Sequence, residues 1–354
     1  MKPSPAILRG ALALAGLALV AACNSSSKKT DAPAKLEDFK PTAHVQKVWS
    51  ASVGGGEPKL RLGLGVALEG DRVFAAGNNG NIAAFDLKTG KRLWVTDTKL
   101  PLTGGPGAGA GLVVAGASRG DLVAVDSATG ARKWRSHINS EILSAPVISA
   151  QHVLLRTVDG RVSSFSTADG KLEWSAEQQV PRLSLRGAGV PAFTADAVIA
   201  GFDNGRIMAL QQRNGDILWE TTVSPPSGRS ELDRLVDIDS AVKAVGNDIY
   251  AVTFQGKVAR VDLETGQVQW SRDMSSYSGI ALDDDGLYVS SAQGSVVKIG
   301  RRTGVEMWKV DSLHNRRLSP PGVVGNLVAV ADLKGIVHFF DTTTGTLAAR
   351  VKSS

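Results

Sequence analysis

The 354-residue chain has a single cysteine, Cys23, so no intramolecular disulfide can hold its fold. Its five histidines, His44, His137, His152, His314 and His338, show no metal-ligand spacing, and no Cys-x-x-Cys exists to make a zinc site. No serine sits in a Gly-x-Ser-x-Gly elbow, which removes the commonest hydrolase signature. The run GGPGAGAG at 104–111 has no Lys-Ser/Thr after it and opens no helix-like segment, so it reads as close strand packing and not as a phosphate cradle. Aromatic residues make up only 5% of the chain, too few to line a sugar-binding mouth once the tryptophans are placed elsewhere. Forty basic against 34 acidic residues leave a formal charge of +6, and no basic cluster with interleaved aromatics points to nucleic acid. The one acidic run, Asp283, Asp284 and Asp285, precedes Gly286 between two strand-like segments and reads as a hairpin turn, not a calcium site. No nucleophile, general base or cofactor cradle emerges, and neither metal nor cofactor is expected.

Long apolar runs are also missing. The longest, residues 11–22, falls well short of the ~20 residues that span a bilayer. Lys2 and Arg9 precede it and LVAAC ends it, which describes a secretory signal over residues 1–22. The small-small-Cys ending resembles the lipobox of bacterial lipoproteins, in which cleavage falls before the cysteine and its thiol and new amine are acylated. An ordinary signal peptide with Cys23 as a leftover thiol is the alternative. Several acyl chains on Cys23 give stable anchoring, because each buried methylene contributes about 0.8 kcal/mol. Asn24 in place of aspartate favours, by resemblance to known sorting rules, the outer membrane and its periplasmic face. Residues 23–44, rich in Ser, Lys and Pro, read as a lipidated flexible tether to a domain at 45–354. Loss of Lys2 and Arg9 lowers the charge to +4.

What the chain has in abundance is glycine, 39 residues, and a pattern. AFDLKTGKRLW at 84–94 returns as AVDSATGARKW, SFSTADGKLEW, ALQQRNGDILW, RVDLETGQVQW and KIGRRTGVEMW. Trp94, Trp134, Trp174, Trp219, Trp270 and Trp308 each follow a glycine by four positions. At this glycine content, six such coincidences arise by chance with a probability on the order of one in a hundred thousand, so the chain is an array. Within one unit, LVVAG and LVAVD flank a hairpin turn, an Asp-x-x-Thr-Gly turn follows, and the tryptophan strand ends the unit. Pro106, Pro146, Pro191 and Pro321 recur at one phase, and because proline cannot donate to a ladder they mark an edge strand. Four strands per ~40 residues is a β-propeller blade, and the fold class is all-β. The tryptophans should wedge between neighbouring blades, each removing roughly 150–250 Å² from water.

Eight tryptophan-type strands can be counted: VQKVW ending at Trp49, the six above, and a last one with Ala349 in the tryptophan place. Complete units number seven. This predicts an eight-bladed ring whose last blade is incomplete; the other arrangement is seven blades with residues 45–53 lying apart.

Intervals between successive tryptophans from Trp49 are 45, 40, 40, 45, 51 and 38. The two consecutive long ones carry inserts that should emerge on one face, where repeat proteins concentrate function. The first, residues 180–189, offers Leu183 and Leu185 beside Arg186; the second, residues 224–239, offers Asp237 and Asp239 beside Arg234. Leucines next to an arginine suit a binding hot spot. The same residues equally suit leucines packed inward with the aspartates paired to Arg186 or Arg234.

PRLSLRG followed by SELDRLVDID, together with the lipobox and the docking pattern, resembles the BamB family, lipoprotein propellers of the outer-membrane β-barrel assembly (BAM) machinery, over the chain from Cys23 onward. The docking pattern Ala-x-Asp-x-x-Thr-Gly-x-x-x-Trp is shared with quinoprotein (PQQ-type) dehydrogenases, the alternative reading. Those enzymes are longer, and many place adjacent cysteines and calcium at the quinone. The BamB resemblance implies a non-enzymatic scaffold that assists insertion of β-barrel proteins and binds the periplasmic POTRA region of BamA. It implies Leu183, Leu185, Arg186, Asp237 and Asp239 as the contact set. Other BAM lipoproteins and unfolded outer-membrane proteins become possible further partners. The incomplete last blade departs from the family pattern and bears on ring closure, not on this surface.

Overall fold

The computed structural model describes residues 32–54, 62–187 and 189–353, so Cys23, the signal segment and the start of the tether lie outside the described residues. Among the described residues every regular element is a strand. The short β-branched runs pair antiparallel with their sequence neighbours and make seven four-stranded sheets. Sheet I comprises Val66–Glu69, Arg72–Ala76, Asn81–Asp86 and Arg92–Asp97; sheet II comprises Leu102–Gly109, Leu112–Ala117, Asp121–Asp126 and Arg132–His137. Sheets III (Val147–Ile148 to Leu172–Glu177), IV (Ala192–Phe193 to Ile217–Thr222) and V (Lys243–Val245 to Val268–Asp273) follow the same order. So do VI (Ile280–Leu282 to Glu306–Val310) and VII (Gly322–Val324 to Leu347–Lys352). Gly63–Leu64 adds a short parallel strand to the edge of sheet II. The four phased prolines all lie in, or immediately before, the edge strand of their sheet. The glycine-rich run sits in such a strand, where a Cβ on Gly107 would come within 1.9 Å of the Pro146 carbonyl.

Sheets II to VI bury both faces of their middle strands, whereas in sheet VII only one face is fully buried. Phe74, Ile82 and Ala84 of sheet I pack on Leu102, Val113 and Val123 of sheet II, and five further apolar layers repeat this from II/III to VI/VII. Every sheet carries a bulge one residue before the tryptophan position: Ala84 pairs with Trp94 and Phe85 with Arg92, leaving Leu93 extra. A bulge of this kind raises the local twist and re-aims the next side chain, here toward the following sheet. The Trp134 indole lies against Gly170, which has φ of 72°, and a Cβ there would come within 2.4 Å of the ring. Its Nε1–H donates to the Thr167 carbonyl at 2.9 Å. All six tryptophans make the equivalent bond, at 2.9 to 3.2 Å. The Asp-x-x-Thr-Gly turn that presents the glycine is self-bonded, for Asp126 accepts from both the amide and the hydroxyl of Thr129 at 2.9 Å. The Thr129 hydroxyl, with Lys133, holds that carboxyl at about 2.

The ring is not the eight-bladed one expected. Among the described residues there are seven complete sheets, and residues 45–53 form no strand of an eighth. The repeat count misled because Trp49 obeys the docking rule without a sheet of its own: its Nε1–H donates to the Leu87 carbonyl at 2.9 Å and its ring lies on Gly90. No apolar cluster among the described residues joins sheet VII to sheet I. That seam is crossed by residues 34–49. Thr42 and Ala43 donate to the Ala348 carbonyl, Arg316 and Arg350 donate to the carbonyls of Ala34 and Glu37, and Trp49 ends the crossing on sheet I. The tether expected over 23–44 is therefore docked from residue 34 onward, because backbone carbonyls of an extended segment meet arginines that sheet VII already orders. Arg316 is fixed by Asp332 at 2.7 Å, and Asp332 also meets His338 at 3.0 Å.

Candidate docking surface

The two inserts leave the outer strands of sheets III and IV and reach the edge strands of sheets IV and V, so both emerge at the same rim. They touch. The Leu185 amide donates to the Asp237 carboxylate, and a Cβ on Gly187 would stand 3.0 Å from the Asp239 carboxyl. Toward the periphery the inserts flank a groove of about 420 Å³, with Val180, Pro181 and Arg182 on one side and Pro225 and Pro226 on the other. Arg186, Gly187 and Asp239 border a second cavity of about 400 Å³, which is lined also by Leu64 and by Leu143, Tyr277 and Pro320 from other connections between sheets.

Three of the five expected contact residues, Leu183, Leu185 and Arg186, present their side chains at this rim, whereas both carboxylate oxygens of Asp239 are turned out of solvent's reach. Leu183 and Arg186 are exposed, while Leu185 and Asp239 are half-buried. Arg186 pairs with Glu141 at 2.6 Å, an ion pair across sheets that at this exposure contributes about 0.2–1 kcal/mol and mainly fixes the direction of the guanidinium. Asp237 is a correction: it is fully buried and cannot be a contact. Val236 and Ile238, both buried, draw this stretch into the protein, and the backbone of Leu185 lies across the carboxylate. Arg186 pairs with Glu141, from the connection before sheet III, a residue that the sequence pattern did not single out. Leu232, 65% exposed in the second insert, was also missed; it differs from its neighbours only in being apolar within an otherwise polar run.

Beneath the rim lies a charge cluster. Arg156, fully buried at the end of a strand of sheet III, pairs with Asp203 in the turn of sheet IV and lies 5.2 Å over the Phe202 ring. Its Nε and Nη1, and Oδ1 of Asp237, have no hydrogen-bond partner among the described residues. Burial pushes the Asp237 carboxyl up to about 7; the Leu185 amide opposes this, Asp239 and Asp203 reinforce it, and Arg156 opposes it again. The hint in the sequence was HVLLR, where an arginine ends a strand at which the other sheets place small or apolar residues.

Known proteins resemble this chain along its whole described length. Residues 78–310 match the family model of the outer membrane protein assembly factor BamB. A Pseudomonas aeruginosa protein of that name is 48% identical over 96% of this chain and 89% of its own length. The chain belongs to the BamB family. A crystal structure of BamB from Moraxella catarrhalis superposes with a TM-score of 0.78 at 30% identity, covering 83% of this chain and 89% of that one. The quinohemoprotein alcohol dehydrogenase from Comamonas testosteroni superposes with a TM-score of 0.67 at 13% identity, covering 82% of this chain and 67% of that one, which shows a shared fold alone. Beside its BamB relatives, the acidic run is now accounted for: Asp283 caps its own hairpin, accepting from the Gly286 amide at 2.5 Å and from the Tyr288 hydroxyl. Among the described residues no three His, Cys, Asp or Glu side chains gather as a metal would require.

Proposed function

We propose that this chain is a non-enzymatic scaffold for the assembly of outer-membrane β-barrel proteins, held at the periplasmic face by acylated Cys23. The rim built by the two inserts docks the periplasmic POTRA region of a BamA-like insertase. Leu183 and Leu185 supply apolar area and Arg186 supplies directional hydrogen bonds, while Asp239, its carboxylate oxygens buried behind Gly187, supports the rim from beneath. The scaffold role rests on membership in a family whose members are named assembly factors. The docking assignment rests on one observation, the convergence of both inserts at a single rim with Arg186 fixed by Glu141. Unfolded barrel strands and further lipoproteins of the complex remain partners of the assembly as a whole, with no residue of this chain assigned to them.

The test is affinity capture of the POTRA region by purified variants. Leu183→Ala with Arg186→Ala should reduce capture at least tenfold while circular dichroism stays that of the parent. Undiminished capture by the folded double variant would remove the rim from the interface.

A further inference from the structure

We propose that Asp237 is a buried latch that positions the Leu183–Arg186 segment, and that its proton occupancy sets how firmly that segment is held against the rim. This deepens the docking reading and rests on it only for its biological consequence. The geometry is specific. One carboxylate oxygen accepts the Leu185 amide and the other has no partner among the described residues, in a site with no solvent access. The charged groups facing it are Asp239 on its own segment, Asp203 from sheet IV and Arg156 from sheet III. Arg156 is the only cation among them and is already committed to Asp203. An ionised Asp237 therefore sits out of water beside two other carboxylates, and the Leu185 N–H and the charge of Arg156 offset this only in part, an arrangement that favours the neutral acid.

The direction follows from linkage. While the segment is docked the carboxyl ionises near 7; once the segment lifts and water reaches it, it ionises near the ordinary 3.8. The docked state thus binds the proton more tightly, and docking weakens as pH rises from about 4 to about 7, then stays level. Leu183 and Arg186, the anchors of the proposed interface, lie within two residues of the latched Leu185 amide, so a loosened latch presents them less uniformly to a partner.

Hydrogen–deuterium exchange of the peptide covering 183–187 in the purified full-length protein tests this, with each rate corrected for intrinsic exchange at its pH. The parent should lose at least tenfold in protection between pH 5 and pH 8, nearly all of it below pH 7. Asp237→Asn, the neutral isostere, should keep the high protection at every pH, and Asp237→Ala should show low protection at every pH. Asp239→Asn removes a negative neighbour and should move the fall to lower pH. A flat parent profile, or an Asp237→Asn profile that falls like the parent, overturns the latch. These readouts need no partner, so a working latch with no loss of POTRA capture on loosening counts against the docking surface and leaves the latch standing.

Discussion

Gly170→Ala and Gly111→Ala form a matched pair that isolates the tryptophan wedge. Both glycines are in the left-handed region, with φ of 72° and 75°, so a Cβ costs each about 1–2 kcal/mol through the backbone alone. At Gly111 an added Cβ meets nothing within 4 Å, whereas at Gly170 it would lie 2.4 Å from Cε3 and 2.6 Å from Cδ2 of Trp134. The indole cannot retreat freely, because it is 7% exposed and its Nε1–H is tied to Thr167. Overpacking of such a site costs a further ~1–3 kcal/mol. Urea unfolding, followed by tryptophan fluorescence and by circular dichroism, should therefore rank parent, Gly111→Ala and Gly170→Ala in falling stability, the last two separated by that amount. Equal losses for the two variants would refute the idea that these glycines exist to admit the indole, and would leave only their turn geometry as the reason for the repeat.

Trp49→Ala should cost about 1–2 kcal/mol and Trp174→Ala about 3–5 kcal/mol in the same assay, since Trp49 is only half-buried and Trp174 is 7% exposed. Acid should release the N-terminal segment. Burial would raise Asp332, but His338, the backbone amides and Arg316 outweigh it and hold the carboxyl at about 2, so its contribution of about 2 kcal/mol is present above pH 4 and lost as pH falls toward 2. Pepsin cleavage at Leu36 or Phe39 should rise over that window, and cleavage that is already complete at pH 4 would show the segment is not held by this cluster. Addition of a quinone cofactor with calcium should give neither a spectral shift nor dye reduction, and turnover of an alcohol would refute the scaffold assignment.

Much of the fold was legible because the same local rule is written out repeatedly. Glycine four residues before tryptophan encodes at once a left-handed turn, a gap and the ring that fills it, so blade type and strand order could be read from spacing. Closure could not. Trp49 carries the tryptophan half of the rule but among the described residues no strands precede it, and spacing alone cannot tell a docked segment from the last strand of a sheet. The rim was found from interrupted periodicity, which marks where extra chain emerges but not which side chains turn outward. Asp237 was misassigned for that reason: its burial is set by Leu185 lying across it, a contact made over 52 positions of sequence. Arg156 was out of place in its own repeat, but Asp203 was not, so nothing in the sequence signalled that the two pair.

The crossing at the seam gives the molecule a buckle. Lys47 reaches the carbonyl of Ser353 and Arg350 reaches that of Glu37, partners more than 300 positions apart, while each sheet otherwise leans only on its neighbours. The earliest part of the domain can take its seat only after the latest part has been made and folded. Pulse-labelled amides of Ala34 and Thr42 should accordingly be the last to gain protection during refolding, and protection there ahead of sheet VII would show that the fastening precedes the belt.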